Sequence, residues 1–115
     1  MSDLPSGRVT LLFTDIEGST RLVQELGPDR YGELLALHSR LLRGAVESHE
    51  GREFGTEGDA HFFTFSDASG AVRAAVDAQR ALGAAAWPGG TQLRVRMGLH
   101  TGQPEVRSST YVGVD

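Results

Sequence analysis

Asp15 and Asp59 are the residues of this chain best suited to divalent-cation chemistry. Asp15 closes an apolar run, Val9-Thr10-Leu11-Leu12-Phe13-Thr14-Asp15-Ile16, that reads as a strand. Asp59 stands in a Gly58-Asp59 turn between two β-like runs, Arg52 to Glu57 and Ala60 to Ser66, which together read as a hairpin. If a helix joins the first strand to the hairpin and the return strand pairs with the first, both carboxylates reach one edge of one sheet. Hard carboxylate oxygens hold a divalent cation, and the free amides of an adjacent helix N-terminus attract phosphate, so the arrangement suits a metal and a triphosphate. Taken singly, each aspartate has a plainer reading, as a helix cap or as a turn residue.

The elements needed to bring the pair together are readable. Glu17-Gly18-Ser19-Thr20 offers capping chemistry ahead of a short helix, Arg21 to Leu26, which Gly27-Pro28 stops. A longer helix starts at Pro28, because Tyr31, Leu34, Leu35, His38, Leu41, Leu42, Ala45 and Val46 recur at three and four, and Gly51 ends it. After the hairpin, Asp67 caps a helix whose expected buried stripe is Val72, Ala75, Val76, Gln79 and Leu82, broken at Trp87-Pro88-Gly89-Gly90. Leu93, Val95 and Met97 alternate with Arg94 and Arg96 in a strand that runs to His100 and turns at Thr101-Gly102, and Glu105 to Arg107 returns as a short strand. The order strand, helix, strand, strand, helix, strand is the α+β, ferredoxin-like βαββαβ plan, with an antiparallel sheet and helices packed on one face. Right-handed crossovers put the first strand antiparallel beside the third.

Composition narrows the partners. A chain of 115 residues with 39% apolar and 23% charged residues is one ordinary globular domain. Its net charge of −4 argues against a nucleic-acid partner, and an anionic nucleotide then needs metal ions to neutralise its phosphates. There is no cysteine, which excludes disulfides and thiolate metal sites. The N-terminus lacks the basic and apolar regions of a signal peptide, and no run approaches the roughly 18 apolar residues of a membrane span, so a cytoplasmic protein with no membrane partner is expected.

Three segments in order, Phe13-Thr14-Asp15-Ile16-Glu17-Gly18-Ser19-Thr20, Thr56-Glu57-Gly58-Asp59 and Arg96-Met97-Gly98-Leu99-His100-Thr101-Gly102, resemble the class III adenylate/guanylate cyclase catalytic domain. The resemblance runs from Gly7 to Gly113. It implies that Asp15, Asp59 and the backbone carbonyl of Ile16 bind two ions per site, Mg²⁺ or Mn²⁺, and that the amides of Glu17, Gly18, Ser19 and Thr20 hold the β- and γ-phosphates. It further implies attack of the ribose 3′-hydroxyl on the α-phosphorus, with Asp15 and Asp59 as the catalytic pair, converting ATP, or GTP, to a 3′,5′-cyclic nucleotide and pyrophosphate. A head-to-tail homodimer with composite sites is implied as well.

The chain departs from the family pattern at the purine-recognition positions. Where adenylate-specific members carry lysine and aspartate, it has Gly55 and Thr110; guanylate-specific members place glutamate and a small polar residue there. A glycine supplies no hydrogen bond to tell adenine from guanine. Residues 1–7 read as a tail and residues 8–115 as a cyclase domain incomplete at its C-terminus, because the family continues into a helix carrying an asparagine and an arginine. On its own such a chain is expected to be weakly active or inert, and the parent protein to carry further domains. The competing reading is a catalytically inactive nucleotide-binding or dimerisation domain that regulates attached modules; a metal-free interaction domain is the plainest. Of the histidines, His38 reads as a packing residue, His49 as a helix-dipole partner and His100 as structural. His61, beside Asp59, is the one to test. Arg94 and Arg96 read as a solvated face.

Overall fold

The computed structural model describes Pro5, residues 7–107 and residues 110–112, with side chains described through Pro104. Strand β1 (Val9–Ile16) leads into α1 (Ser19–Ser48), followed by the hairpin β2 (Arg52–Glu57) and β3 (Ala60–Phe65), α2 (Ala68–Ala84), a 3-10 turn at Pro88–Gly90 and β4 (Val95–Gly102). The sheet order is β2-β3-β1-β4, antiparallel at every junction, with two helices, as the βαββαβ plan requires. Strands β5 (Glu105–Arg107) and β6 (Thr110–Val112) form a separate ribbon.

Strand alternation divides the sheet into two faces. Leu12, Ile16, Phe63, Phe65 and Val95 point to the helices and are buried with Leu34, Leu42 and Val46 of α1 and with Ala71, Ala74, Ala78 and Leu82 of α2. Val9 and Leu11 lie on the opposite face, packed with Phe13 and Phe54. The layers are tight where Gly51 enters β2: a methyl group there would sit 2.4 Å from the Phe65 ring and 2.7 Å from Val46.

Helix α1 is two helices in series. Gly27 has φ 80° and ψ 168°, a conformation open only to glycine, and Pro28 starts the second segment, where its missing N–H costs nothing. The Asp67 side chain accepts a hydrogen bond from the Gly70 N–H, 3.2 Å, and so caps α2. At the other end of α2 the Trp87 indole donates to the Leu82 carbonyl at 3.0 Å.

The buried stripe of α2 differs from the sequence expectation. Val72 and Val76 are 49% and 43% exposed, Gln79 is exposed and donates to the Val95 carbonyl, and the sheet side is lined by Ala71, Ala74 and Ala78. Small side chains let the helix backbone approach the sheet, and that proximity outweighs the greater hydrophobicity of valine. β4 also runs two residues further than expected, through Thr101 and Gly102, which pair with Thr10 and Val9. The Thr101 and Thr10 hydroxyls are 2.8 Å apart.

Candidate active site

By alternation Asp15 projects from the face of the sheet opposite the helices, and β4 runs beside it with Arg96 as its register partner. Arg96 donates from Nε and Nη2 to the two Asp15 carboxylate oxygens at 2.8 and 2.9 Å, a bidentate pair on an exposed surface. Asp59 occupies the hairpin tip after Gly58, whose φ of 58° makes the tight turn. Its Oδ2 accepts the Ile16 N–H at 2.6 Å. The tip is therefore pinned to the residue that follows Asp15, and the two aspartates reach the same end of the sheet.

Their neighbours feel the charge. Asp15 first, then Glu17 and Asp59, hold the Arg96 guanidinium above its ordinary value. Burial, and after it the charge of Asp59, push the Tyr31 hydroxyl of α1 upward against the opposing influence of Ser19. The periodicity of α1 marks Tyr31 only as a packing residue; its proximity to Asp59 depends on how α1 crosses the sheet.

The loop between β1 and α1 differs from expectation in its capping. Gly18, in the left-handed region at φ 68°, is the helix cap residue and brings no side-chain bond; Ser19 and Thr20 lie in the first turn. The Glu17 N–H donates to the Arg94 carbonyl at 2.9 Å and is thus not offered to a ligand. Amides of Ser19 and Thr20 belong to the set that no helix satisfies internally, and the first turn holds no acidic residue to compete for them.

Among the described residues no cluster of three or more His, Asp or Glu side chains is poised for a metal ion. The protein donors at this edge are two carboxylates and the Ile16 carbonyl. Such a set fits Mg²⁺ or Mn²⁺ that completes its shell with nucleotide phosphate oxygens, provided Arg96 gives up the Asp15 oxygens it holds here, and does not form a cage by itself.

His61 does not face this edge. It is buried on the helix side, with Nδ1 2.5 Å from Glu53 Oε2 and Nε2 3.1 Å from the Ser39 hydroxyl, while Arg43 closes the chain onto Glu53 at 3.1 Å. His38 is fully buried beside it, ring centroids 5.4 Å apart, and neither of its nitrogens has a partner. Burial first, then the His61 charge, lower the His38 pKa to about 4. His49 does more than face a helix dipole, since its Nε2 meets Asp77 Oδ2 at 2.7 Å and ties α1 to α2.

A family model, the adenylate and guanylate cyclase catalytic domain, matches residues 2–108. The chain belongs to that family. An uncharacterised protein of Mycobacterium tuberculosis is 36% identical over 111 residues, covering 95% of this chain and 36% of that protein. An adenylate cyclase of Lachancea kluyveri is 34% identical across 87% of this chain and 6% of its own length. Adenylate cyclase from Trypanosoma brucei, solved in its monomeric state, superposes with a TM-score of 0.83 at 27% identity, covering 97% of this chain and 65% of that one. The guanylate cyclase domain of RhGC from Catenaria anguillulae, solved with GTP, has the same fold with a TM-score of 0.78 at 19% identity, over 86% of this chain and 58% of that one. The chain thus spans about a third of the mycobacterial relative and less than two thirds of the trypanosomal structure.

Of the two positions to which the resemblance assigns purine recognition, Gly55 lies opposite Phe62 in the hairpin, past an irregularity in register between Glu53 and Gly55. Thr110 opens β6, and its side chain lies outside the described residues, as do Gly113 to Asp115. No helix among the described residues is long and apolar enough to cross a membrane.

Proposed function

We propose that this chain is a nucleotidyl cyclase catalytic domain acting on ATP, or less readily GTP, with Asp15 and Asp59 holding two divalent ions per site together with the Ile16 carbonyl. The observation that carries the reading is the 2.6 Å bond from the Ile16 N–H to Asp59, which draws the second acidic side chain to the strand end that bears the first. Asp15 and Asp59 hold the ions, the first-turn amides of Ser19 and Thr20 orient the terminal phosphates, and Arg96 supplies positive charge at the same edge. When bound, the ions neutralise the phosphates and acidify the ribose hydroxyl. The 3′ oxygen bonds to the α-phosphorus, the bond to the pyrophosphate oxygen breaks, and the hydroxyl proton leaves to solvent.

Residues 8–115 are the cyclase portion of a longer, cytoplasmic polypeptide in this reading, working as a head-to-tail homodimer. A second reading, nucleotide binding without catalysis, is favoured by Gly55, which presents no purine-reading side chain.

The deciding assay incubates the parent protein with Mn²⁺ and ATP or GTP and measures cyclic nucleotide. Product that falls at least a hundredfold in Asp15→Ala and in Asp59→Ala, with unchanged circular dichroism, supports catalysis. Mn²⁺-dependent nucleotide binding without product supports the second reading, and no binding at all ends both.

A further inference from the structure

The bond between Arg96 and Asp15 sets a cation of the chain on a carboxylate that the cyclase reading gives to a divalent ion. Both Asp15 oxygens are engaged, Oδ1 by Nε at 2.8 Å and Oδ2 by Nη2 at 2.9 Å. The two residues are register partners on β1 and β4, so the pair is built into the sheet of one protomer and does not depend on how two copies meet. Asp59 is engaged as well, its Oδ2 accepting the Ile16 N–H.

A guanidinium keeps its charge at any pH at which a protein stays folded. An oxygen that accepts one hydrogen bond retains a lone pair, but a dication seated on it would lie against that fixed positive charge, which cancels much of the attraction of Asp15. The latching group is also free to leave. The Arg96 side chain is 64% exposed, and its long stem lets the guanidinium swing to another acceptor without movement of β4. Phosphate oxygens match the guanidinium fork as well as a carboxylate does, so a polyphosphate at this edge is the acceptor that can draw it away.

Resting on the nucleotide reading above, we propose that Arg96 is a latch on Asp15: it denies the carboxylate to a free divalent ion and yields it when a polyphosphate takes the guanidinium. The acidic edge then accepts ion and polyphosphate together, each raising the affinity for the other by the same factor. An exposed pair of carboxylates without the latch would collect whichever free divalent ion is most abundant; with it, uptake of the ion is tied to the polyphosphate.

Titration of the chain with Mn²⁺, followed by the electron paramagnetic resonance signal of the free ion, tests this. Arg96→Gln and Arg96→Lys are each expected to bind Mn²⁺ alone about fivefold more tightly than wild type, the size of a well-formed exposed ion pair. Lysine keeps the charge and loses the fork. Arg94→Gln removes a charge two residues away and leaves the bond to Asp15, so its Mn²⁺ affinity is expected to stay within about twofold of wild type. In the wild type, the Arg96 Nε–H resonance, assigned by its loss in Arg96→Lys, is expected to shift when inorganic tripolyphosphate is added in Mg²⁺ and to stay in place with Mg²⁺ alone. Unchanged Mn²⁺ affinity in the Arg96 variants, a gain in Arg96→Gln that Arg96→Lys does not share, an equal gain in Arg94→Gln, or a shift with Mg²⁺ alone would overturn the proposal and leave the cyclase reading standing. Failure of every protein to bind Mn²⁺, with or without tripolyphosphate, would remove that reading with it.

Discussion

His38 makes the stability of this domain depend on pH. It lies within α1 with 0% exposure and both ring nitrogens unpartnered, facing His61, and the charge of the Asp59 carboxylate only partly opposes the effect of burial. Its pKa falls from 6.5 to about 4 on folding, so between those values the unfolded chain binds the proton and the folded chain does not. The stabilisation is complete above the unfolded value and declines as pH falls towards the folded one. Between pH 7 and pH 5 this shift removes about 2 kcal/mol, from 1.36 kcal/mol per pKa unit. With a urea dependence of about 2 kcal/mol per molar for a domain of this size, the midpoint moves by about 1 M.

The assay is urea denaturation at pH 7 and pH 5, followed by circular dichroism, on the wild type and on His38→Leu. Leucine fills a similar volume and leaves no buried polar atom unpaired, so the variant is expected to be more stable than wild type at pH 7 by about 1 kcal/mol. Its midpoint is expected to move little between the two pH values. Equal acid sensitivity in the two proteins would show that His38 is not the group responsible and would refute the reasoning.

Three further substitutions probe the packing. Gly51→Ala drives a methyl group into the Phe65 ring and Val46 and is expected to cost about 1–3 kcal/mol in the same denaturation assay. Val76→Ser, on the exposed side of α2, is expected to change stability by less than about 0.5 kcal/mol, whereas Ala74→Leu on the sheet side costs about 1–3 kcal/mol. The reverse order would restore the valine stripe that periodicity suggests.

Those α2 positions show where residue pattern stops being informative. Valine outranks alanine on any hydrophobic scale, but the distance between helix and sheet is a property of the assembled layers, and only alanine is small enough at 71, 74 and 78. The α1 stripe was legible because leucine, histidine and valine there fill a wider gap, and Leu34, His38, Leu42 and Val46 are the residues that become buried. The Gly58 tip was legible from turn chemistry alone. The bond between Arg96 and Asp15 was not, because the pairing of β1 with β4 fixes it across most of the chain; alternation shows that Arg96 points outward but not what it meets. Likewise the direction of His61 follows from the same alternation that carries Phe63 inward, once Asp59 is known to be the turn and not part of the strand.

The break at Gly27 has a mechanical meaning. A continuous rod from Ser19 to Ser48 would carry any tilt at its first turn into the packed layers. Here the backbone turns out of helical geometry at one residue and the next lacks a donor, so the segment from Ser19 to Leu26 takes its own direction, set by Leu22 and Leu26 seated in the core. The first turn that faces the acidic edge is thus held by two apolar anchors of its own and not by the axis of the long second segment.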